Sequence, residues 1–186
     1  MSVRARLRPV ALALGLPLAL AAGGAAAQTT PGTEVMAPQT LDFDVERILG
    51  TWHEIARLDH PFERGLIRVT STRARQPDGT IAIVNRGVDK ASGQTRESKA
   101  TARLLESAGR PAMEIDYGAA GGKHTYDVLQ VAPDGSHLLI GATDRSALWI
   151  LARQPVLDSF VVDQLKARAL SAGFSLDGLI MVEQGR

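Results

Sequence analysis

The sequence predicts an all-β fold of eight antiparallel strands, a sandwich or a barrel, followed by one C-terminal α-helix. Turn signals such as Pro77-Asp78-Gly79 and Pro133-Asp134-Gly135 recur at short, regular spacing. In each of them Pro presets φ and Gly accepts a positive φ, which is typical of turns between antiparallel strands. A single amphipathic segment, 158–172, follows the last apolar run.

Eight strand segments lie between the turns. Their predicted ranges are 51–59, 66–75, 80–88, 95–105, 112–117, 123–132, 136–143 and 146–153. In the fourth segment Lys99 and Thr101 alternate with Ala100 and Ala102, which predicts one wet and one buried face. The run 147–151 is apolar on both faces, as in strands that are covered on both sides.

The helix supplies that cover. Its apolar residues recur at a spacing of 3.6, at Val161, Val162, Leu165, Ala169 and Ala172. Gly173 provides a C-terminal stop. We expect the helix to lie on the last two strands, and the segment 178–183 to add an edge strand.

The N-terminus predicts a secretory signal at residues 1–27. Arg4, Arg6 and Arg8 precede an apolar stretch, and 25–27 is an Ala-Ala-Ala cleavage site. A transmembrane anchor is the alternative, but the apolar stretch falls short of the roughly 20 residues that span a bilayer. Residues 28–40 are predicted to be a flexible leader and 41–186 the folded domain.

Charge and cysteine content limit the function classes. Without the signal the chain carries 18 basic and 20 acidic side chains, a formal charge of −2, and no basic patch that would favour nucleic acid. The chain has no cysteine, so there is neither a lipobox cysteine nor a thiol nucleophile. From this we expect a soluble protein, periplasmic or secreted, with no integral membrane segment after cleavage.

Two motifs occupy the two ends of the strand pattern. GTWHEIARLDHPFERG opens the first strand with Gly50 and Trp52, and LWILARQP ends the last strand with Arg153. Together they resemble the signature of the lipocalins, in particular the bacterial branch, which is similar to apolipoprotein D. The resemblance implies that Trp52 stacks under Arg153 to seal one end of a barrel, with a cation–π contact of about 0.5–2 kcal/mol. Ligand contact by this pair is the other interpretation.

The resemblance also implies the fold and the function. It implies an eight-stranded up-and-down β-barrel with one helix, and non-covalent binding of a small hydrophobic ligand in the cell envelope. A fatty acid, a lysophospholipid or a similar lipid is the expected partner, with transient membrane contact. We expect no catalysis, no metal and no cofactor. A barrel packed full, without a ligand, is the alternative.

Strand parity and loop position suggest the residues that contact a ligand. Glu54 is expected to face inward with Trp52, Ala56 and Leu58, as a polar anchor or as a bonded structural carboxylate. Phe62 and Leu66 in the first loop either gate the mouth or dock the loop on the barrel. The full set of candidates is Glu54, Phe62, Leu66, Arg68, Ala100, Ala102, Met113, Tyr117, Tyr126 and Val128. Among these Arg68 and Tyr126, with Lys123, are the candidates for orienting a head group.

Two rival functions use histidines. The first is a small-barrel enzyme acting on a lipid or isoprenoid, with His53 and Glu54 as acid and base. The second is a tetrapyrrole carrier that uses a histidine. Neither a metal-ligand spacing of histidines nor a Gly-x-Ser-x-Gly nucleophile motif is present in the sequence.

Overall fold

The computed structural model describes residues 43–105 and 110–185. The predicted signal and leader lie outside these described residues. Within the described ranges, no helix combines the length and the apolar character needed to cross a bilayer.

Nine strands, one α-helix and two short 3₁₀ helices make up the described structure. The strands are β1 (Gly50–Leu58), β2 (Leu66–Arg75), β3 (Ile81–Asp89), β4 (Thr95–Leu105), β5 (Ala112–Asp116), β6 (Lys123–Val131), β7 (His137–Ala142), β8 (Leu148–Ala152) and β9 (Leu179–Met181). The helix α1 is Ser159–Ser171, and the 3₁₀ helices are Val45–Ile48 and Gly118–Ala120. The prediction of eight strands followed by one helix is confirmed.

The strands form a closed barrel. Each of β2 to β7 pairs antiparallel with the next strand, β8 pairs with β1, and β1 pairs with β2. The 3₁₀ helix Val45–Ile48 lies at the end where β1 begins, and the loop 59–65 lies at the other end. The barrel therefore has a floor at the start of β1 and a mouth at its end.

Apolar side chains form two separate cores. The first fills the barrel interior and includes Trp52, Ala102 and Leu151. The second lies between the barrel wall and α1, where Ile150 and Leu165 are both fully buried. This arrangement confirms that the apolar β8 is covered on both faces. The helix packs on β1 as well as on β7 and β8.

A bulge in β1 corrects the predicted parity of that strand. Glu54 pairs with Leu151 and Ala56 pairs with Ile150, so one extra residue, Ile55, stands in β1. Beyond the bulge the faces exchange: Ile55 and Ala56 both lie in the core under α1, and Arg57 turns into the barrel. The expectation that Ala56 and Leu58 share the inward face of Trp52 and Glu54 is wrong, because strand parity assumes an unbroken period of two.

The C-terminal segment fills a split in the barrel wall. β1 pairs with β2 only over Gly50–His53, and above that point β9 pairs with β1 instead. The Arg68 N–H in β2 donates to the Glu183 carbonyl at 2.6 Å, and the Val182 N–H donates to the Ile55 carbonyl at 2.9 Å. The segment predicted as an added edge strand is therefore held between two strands.

Candidate functional site: an apolar calyx with a polar wall

The floor of the barrel is sealed by Trp52 and Arg153. The Arg153 guanidinium lies 3.6 Å from the centroid of the Trp52 ring. The Trp52 Nε1–H donates to the Ile48 carbonyl at 2.9 Å, and Arg153 donates to the carbonyls of Thr51 and Arg47, both at 3.1 Å. Because Trp52 is fully buried and its one polar atom is bonded, the pair closes the floor.

A cavity of about 550 Å³ lies inside the barrel and reaches the mouth. This volume falls in the range of about 300–1,000 Å³ that is usual for small-molecule pockets. Apolar side chains from four strands form much of its wall: Ile83, Ile115, Ile140 and Leu151. The cavity can therefore bury an apolar molecule of moderate size.

One side of the cavity carries a cluster of charged groups on β1 and the first loop. The Arg57 Nη1–H donates to Glu54 Oε1 at 2.6 Å, and both side chains are almost completely buried. Arg57 Nη2 donates to the carbonyls of Glu63 at 2.7 Å and Leu66 at 3.3 Å. Arg57 thus ties the first loop to the barrel wall, and Glu54 is a bonded structural carboxylate at the edge of the cavity.

The pKa values of two carboxyl groups in this cluster are shifted in opposite directions. Burial raises the pKa of Glu54 well above its usual value, and the neighbouring charge of Glu63 adds to this effect against the influence of Arg57. Burial alone would also raise the pKa of Glu63, but hydrogen bonds from His60 and Trp149 hold that pKa below its usual value. Glu63 therefore stays ionised to a lower pH than Glu54.

Aromatic side chains surround the mouth. Phe62 is 63% exposed and lies parallel to Tyr117, with 6.3 Å between the ring centroids. Trp149 makes edge contacts with His60 at 5.1 Å and with Tyr126 at 5.5 Å. Because Phe62 reaches from the first loop to the residue that follows β5, the loop arches over part of the opening.

A cationic residue of β2 also faces the cavity. Ser71 and Arg73 line it, and both are buried. The Nε and Nη1 atoms of Arg73 are buried without a hydrogen-bond partner in the described structure. Sequence reasoning did not select this residue, because the charged end of β2 is typical of a solvent-exposed strand terminus.

The candidate residues fall into three groups. Glu54, Phe62, Tyr117 and Tyr126 line the cavity. Ala100, Ala102, Met113 and Val128 belong to the packed interior but not to the cavity surface. The larger neighbours Ile83 and Ile115, which pair with Ala100 and Ala102 respectively, supply that surface instead.

The third group, Leu66 and Arg68, lies away from the cavity, so their placement in the calyx is wrong. Leu66 is buried against Gly87, which leaves room for it. Arg68 has a positive φ of 52° beside a bulge in β2, and its side chain runs along Gly185 of the C-terminal segment. The Lys123 ammonium is exposed and pairs with Glu114.

The histidines do not form the predicted acid–base pair. Glu54 lines the cavity, whereas His53 precedes it in a regular part of β1 and so faces the other side of the sheet. His60 and His124 line the mouth and are the two that a tetrapyrrole could meet. In the described ranges, no group of three or more metal-ligating side chains is found.

A family model described as the lipocalin-like domain matches residues 43–184. The chain belongs to the lipocalin family. Among its relatives is the outer membrane lipoprotein Blc of Escherichia coli K12, which is 36% identical over 145 residues, covering 77% of this chain and 80% of the relative. Apolipoprotein D of Mus musculus is 23% identical over 153 residues, covering 79% and 80%.

Solved structures show the same fold. Lobster apocrustacyanin A1 superimposes with a TM-score of 0.64 at 16% identity, covering 77% of this chain and 81% of that one. At 16% identity this similarity shows a shared fold and nothing more. Lipocalins are in general binding proteins for small hydrophobic molecules, and the calyx described above is the corresponding feature of this chain.

The comparisons correct the expected localisation. Four relatives that this chain matches over 80–84% of their length are named outer membrane lipoproteins. The expectation of a free, soluble protein is therefore wrong. That expectation rested on one feature, the missing lipobox cysteine. The similarity to these lipoproteins extends over the whole domain and is the stronger basis.

Proposed function

We propose that this protein is a carrier that holds one fatty acid, lysophospholipid or similar lipid in its calyx at the outer membrane of the bacterial envelope. The observation that carries the proposal is the cavity of about 550 Å³, walled by aliphatic side chains and open at one end. Burial of an acyl chain contributes about 0.8 kcal/mol per CH₂ group, so a long chain supplies ample affinity without a covalent bond.

The aromatic mouth supports binding and release at the same end. Phe62, Tyr117 and Trp149 offer flat apolar surface to a chain that passes between them. Only the first loop and the turns at this end need to move for entry, because the floor is closed by Trp52 and Arg153. The relatives named outer membrane lipoproteins support the envelope setting.

A blocking substitution tests the proposal. Ala147 lines the cavity near the mouth and is 9% exposed, so Ala147→Trp should fill ligand space. Thr101→Trp is the matched control, because Thr101 is exposed on the outer face of β4. Binding of a neutral fluorescent probe, N-phenyl-1-naphthylamine, is then titrated in all three proteins.

The expected result is saturable binding by the wild type and by Thr101→Trp, with strongly weakened binding by Ala147→Trp. Circular dichroism checks that each variant is folded. A wild type that binds no apolar probe refutes the carrier function, and equal binding by Ala147→Trp places the probe outside the calyx.

A further inference from the structure

Arg73 is a buried cation that the protein itself leaves without a partner. Its backbone pairs with Gly50 of β1 and Ile83 of β3, which places the residue near the floor. Its side chain lies on the inner face of the barrel. The residue is 7% exposed and lines the cavity, and its Nε and Nη1 atoms have no hydrogen-bond acceptor in the described structure. A buried unpaired charge is strongly unfavourable unless something supplies the opposite charge.

No carboxylate of the described residues supplies that charge. None of their ion pairs includes Arg73. Apart from the effect of burial, Tyr117 and Arg153 are the groups that shift its pKa, and neither is a carboxylate. Burial lowers the pKa of Arg73 to about 10, so the side chain is still a cation at neutral pH. Arg57, the other buried arginine of the calyx, differs because it is paired with Glu54.

Two tyrosines line the same cavity from its mouth end, and Tyr117 is close enough to Arg73 to influence its pKa. Burial raises the pKa of Tyr117 and of Tyr126, and the two hydroxyls also act on each other, so both keep their protons at neutral pH. Ser71, two residues before Arg73 on the same inner face, adds a third hydroxyl to the lining. A guanidinium with neutral hydroxyl donors, enclosed by aliphatic walls, has the chemistry of an anion receptor.

We propose that Arg73 binds the anionic group of an amphiphilic ligand inside the calyx, so that the ligand enters head first and its tail points to the mouth. The carboxylate of a fatty acid and the phosphate monoester of a lysolipid share this chemistry. The inference rests on the proposed carrier function and gives it an orientation and a requirement for a negative charge.

The cations at the rim are poor alternatives for this role. Lys99 lines the cavity entrance, but its side chain is 76% exposed and lies 3.5 Å from Glu97. Lys123 is 59% exposed and pairs with Glu114 at 3.2 Å. Solvent and these carboxylates already satisfy both ammonium groups, and exposed ion pairs contribute little.

A competition experiment separates the anchor from the carrier function. Oleic acid, oleyl alcohol and oleoyl lysophosphatidic acid each displace N-phenyl-1-naphthylamine from the wild type, from Arg73→Met and from the control Lys99→Met. A hydrogen bond to a charged group corresponds to a preference of about 10- to 150-fold. We expect the wild type and Lys99→Met to prefer the acid over the alcohol by that factor, and Arg73→Met to bind the two alike.

Each other result is decisive. Equal affinity of the wild type for acid and alcohol overturns the anchor without any variant, and so does a preference that survives in Arg73→Met or disappears in Lys99→Met. The lysophosphatidic acid arm shows whether a phosphate or a carboxylate is the better occupant. If the neutral probe itself does not bind the wild type, the carrier function fails, which is a distinguishable outcome.

The two tryptophans report the orientation. Trp149 lies at the mouth and Trp52 at the floor, and Trp149→Phe isolates the signal of Trp52. A fatty acid brominated near its carboxylate should quench Trp52, and one brominated near its methyl end should quench Trp149. The reverse pattern would show that the ligand enters tail first and would overturn the proposal.

Discussion

The contact between Trp52 and Arg153 is the residue-scale feature on which the closed floor depends. Trp52→Ala should lower the free energy of unfolding by about 3–5 kcal/mol, the usual loss for a buried aromatic side chain. Arg153→Ala should lower it as well, through lost packing over the ring in addition to lost charge. Both changes are measured by chemical denaturation.

The double variant tests whether the two side chains act together. Because the guanidinium lies on the ring, a double-mutant cycle should give a coupling energy of about 0.5–3 kcal/mol. Strictly additive losses would mean that the stacking contact contributes nothing to the floor.

The Glu63 carboxylate gives the first loop a pH dependence. Its folded pKa is held below the usual value by His60 and Trp149 despite burial, so its stabilising effect is present above the usual glutamate pKa. That effect is lost as the pH falls through the lowered value. Glu63→Gln should therefore destabilise the protein near pH 7, by about 1.5–3 kcal/mol, and the difference should vanish in acid.

Denaturation of the wild type and of Glu63→Gln across pH 3–7 measures this difference. The substitution also removes the negative charge that raises the pKa of Glu54, so the comparison is read as one coupled pair. A difference that stays constant over this range would contradict the role given to Glu63.

At the scale of elements, the C-terminal segment holds β1 and β2 together above the point where their pairing ends. The Gln184 side-chain amide donates to the carbonyls of Glu54 and Val69 on these two strands. Gln184→Ala should leave both part-buried carbonyls without this donor and destabilise the protein by about 1–3 kcal/mol. Amide hydrogen exchange at Arg68, whose N–H bonds to Glu183, should also accelerate.

Gln154→Ala is the matched control, because in the described ranges the Gln154 side chain is exposed and makes no hydrogen bond. Equal stability losses for the two variants would mean that Gln184 does not bridge the split.

The strands show where sequence reasoning succeeds and where it fails. The alternation in β4 correctly predicted that Ala100 and Ala102 are buried, and the double-sided apolar pattern of β8 correctly predicted the cover by α1. The bulge at Ile55 was not predictable from the sequence, because isoleucine is an ordinary strand residue and nothing in the composition of β1 marks it as inserted.

The candidate site was harder to predict than the fold for the same reason. Arg57 enters the barrel only because of the bulge, and Arg73 is buried only because the barrel closes around the inner face of its strand. A charged residue in a strand is normally placed outside, and only tertiary structure reveals the exceptions.

At the scale of the whole molecule, the barrel is closed at the floor and open at the mouth, and a ligand that binds in this folded calyx should add to its stability. A ligand that binds only the folded state at 100 times its dissociation constant contributes about 2.7 kcal/mol. Oleic acid should therefore raise the thermal midpoint of the wild type and of Thr101→Trp. The midpoint of Ala147→Trp should not change, and a rise in that variant would indicate binding outside the calyx.

The central claim is that the calyx carries one lipid without a covalent bond, and native mass spectrometry tests it most directly. Protein purified gently from the envelope should show the mass of the chain plus one lipid, and this added mass should disappear on denaturation. Ala147→Trp, prepared in the same way, should show the protein without the added mass. A wild type without added mass, even after incubation with excess oleic acid and lysophospholipid, would contradict the account.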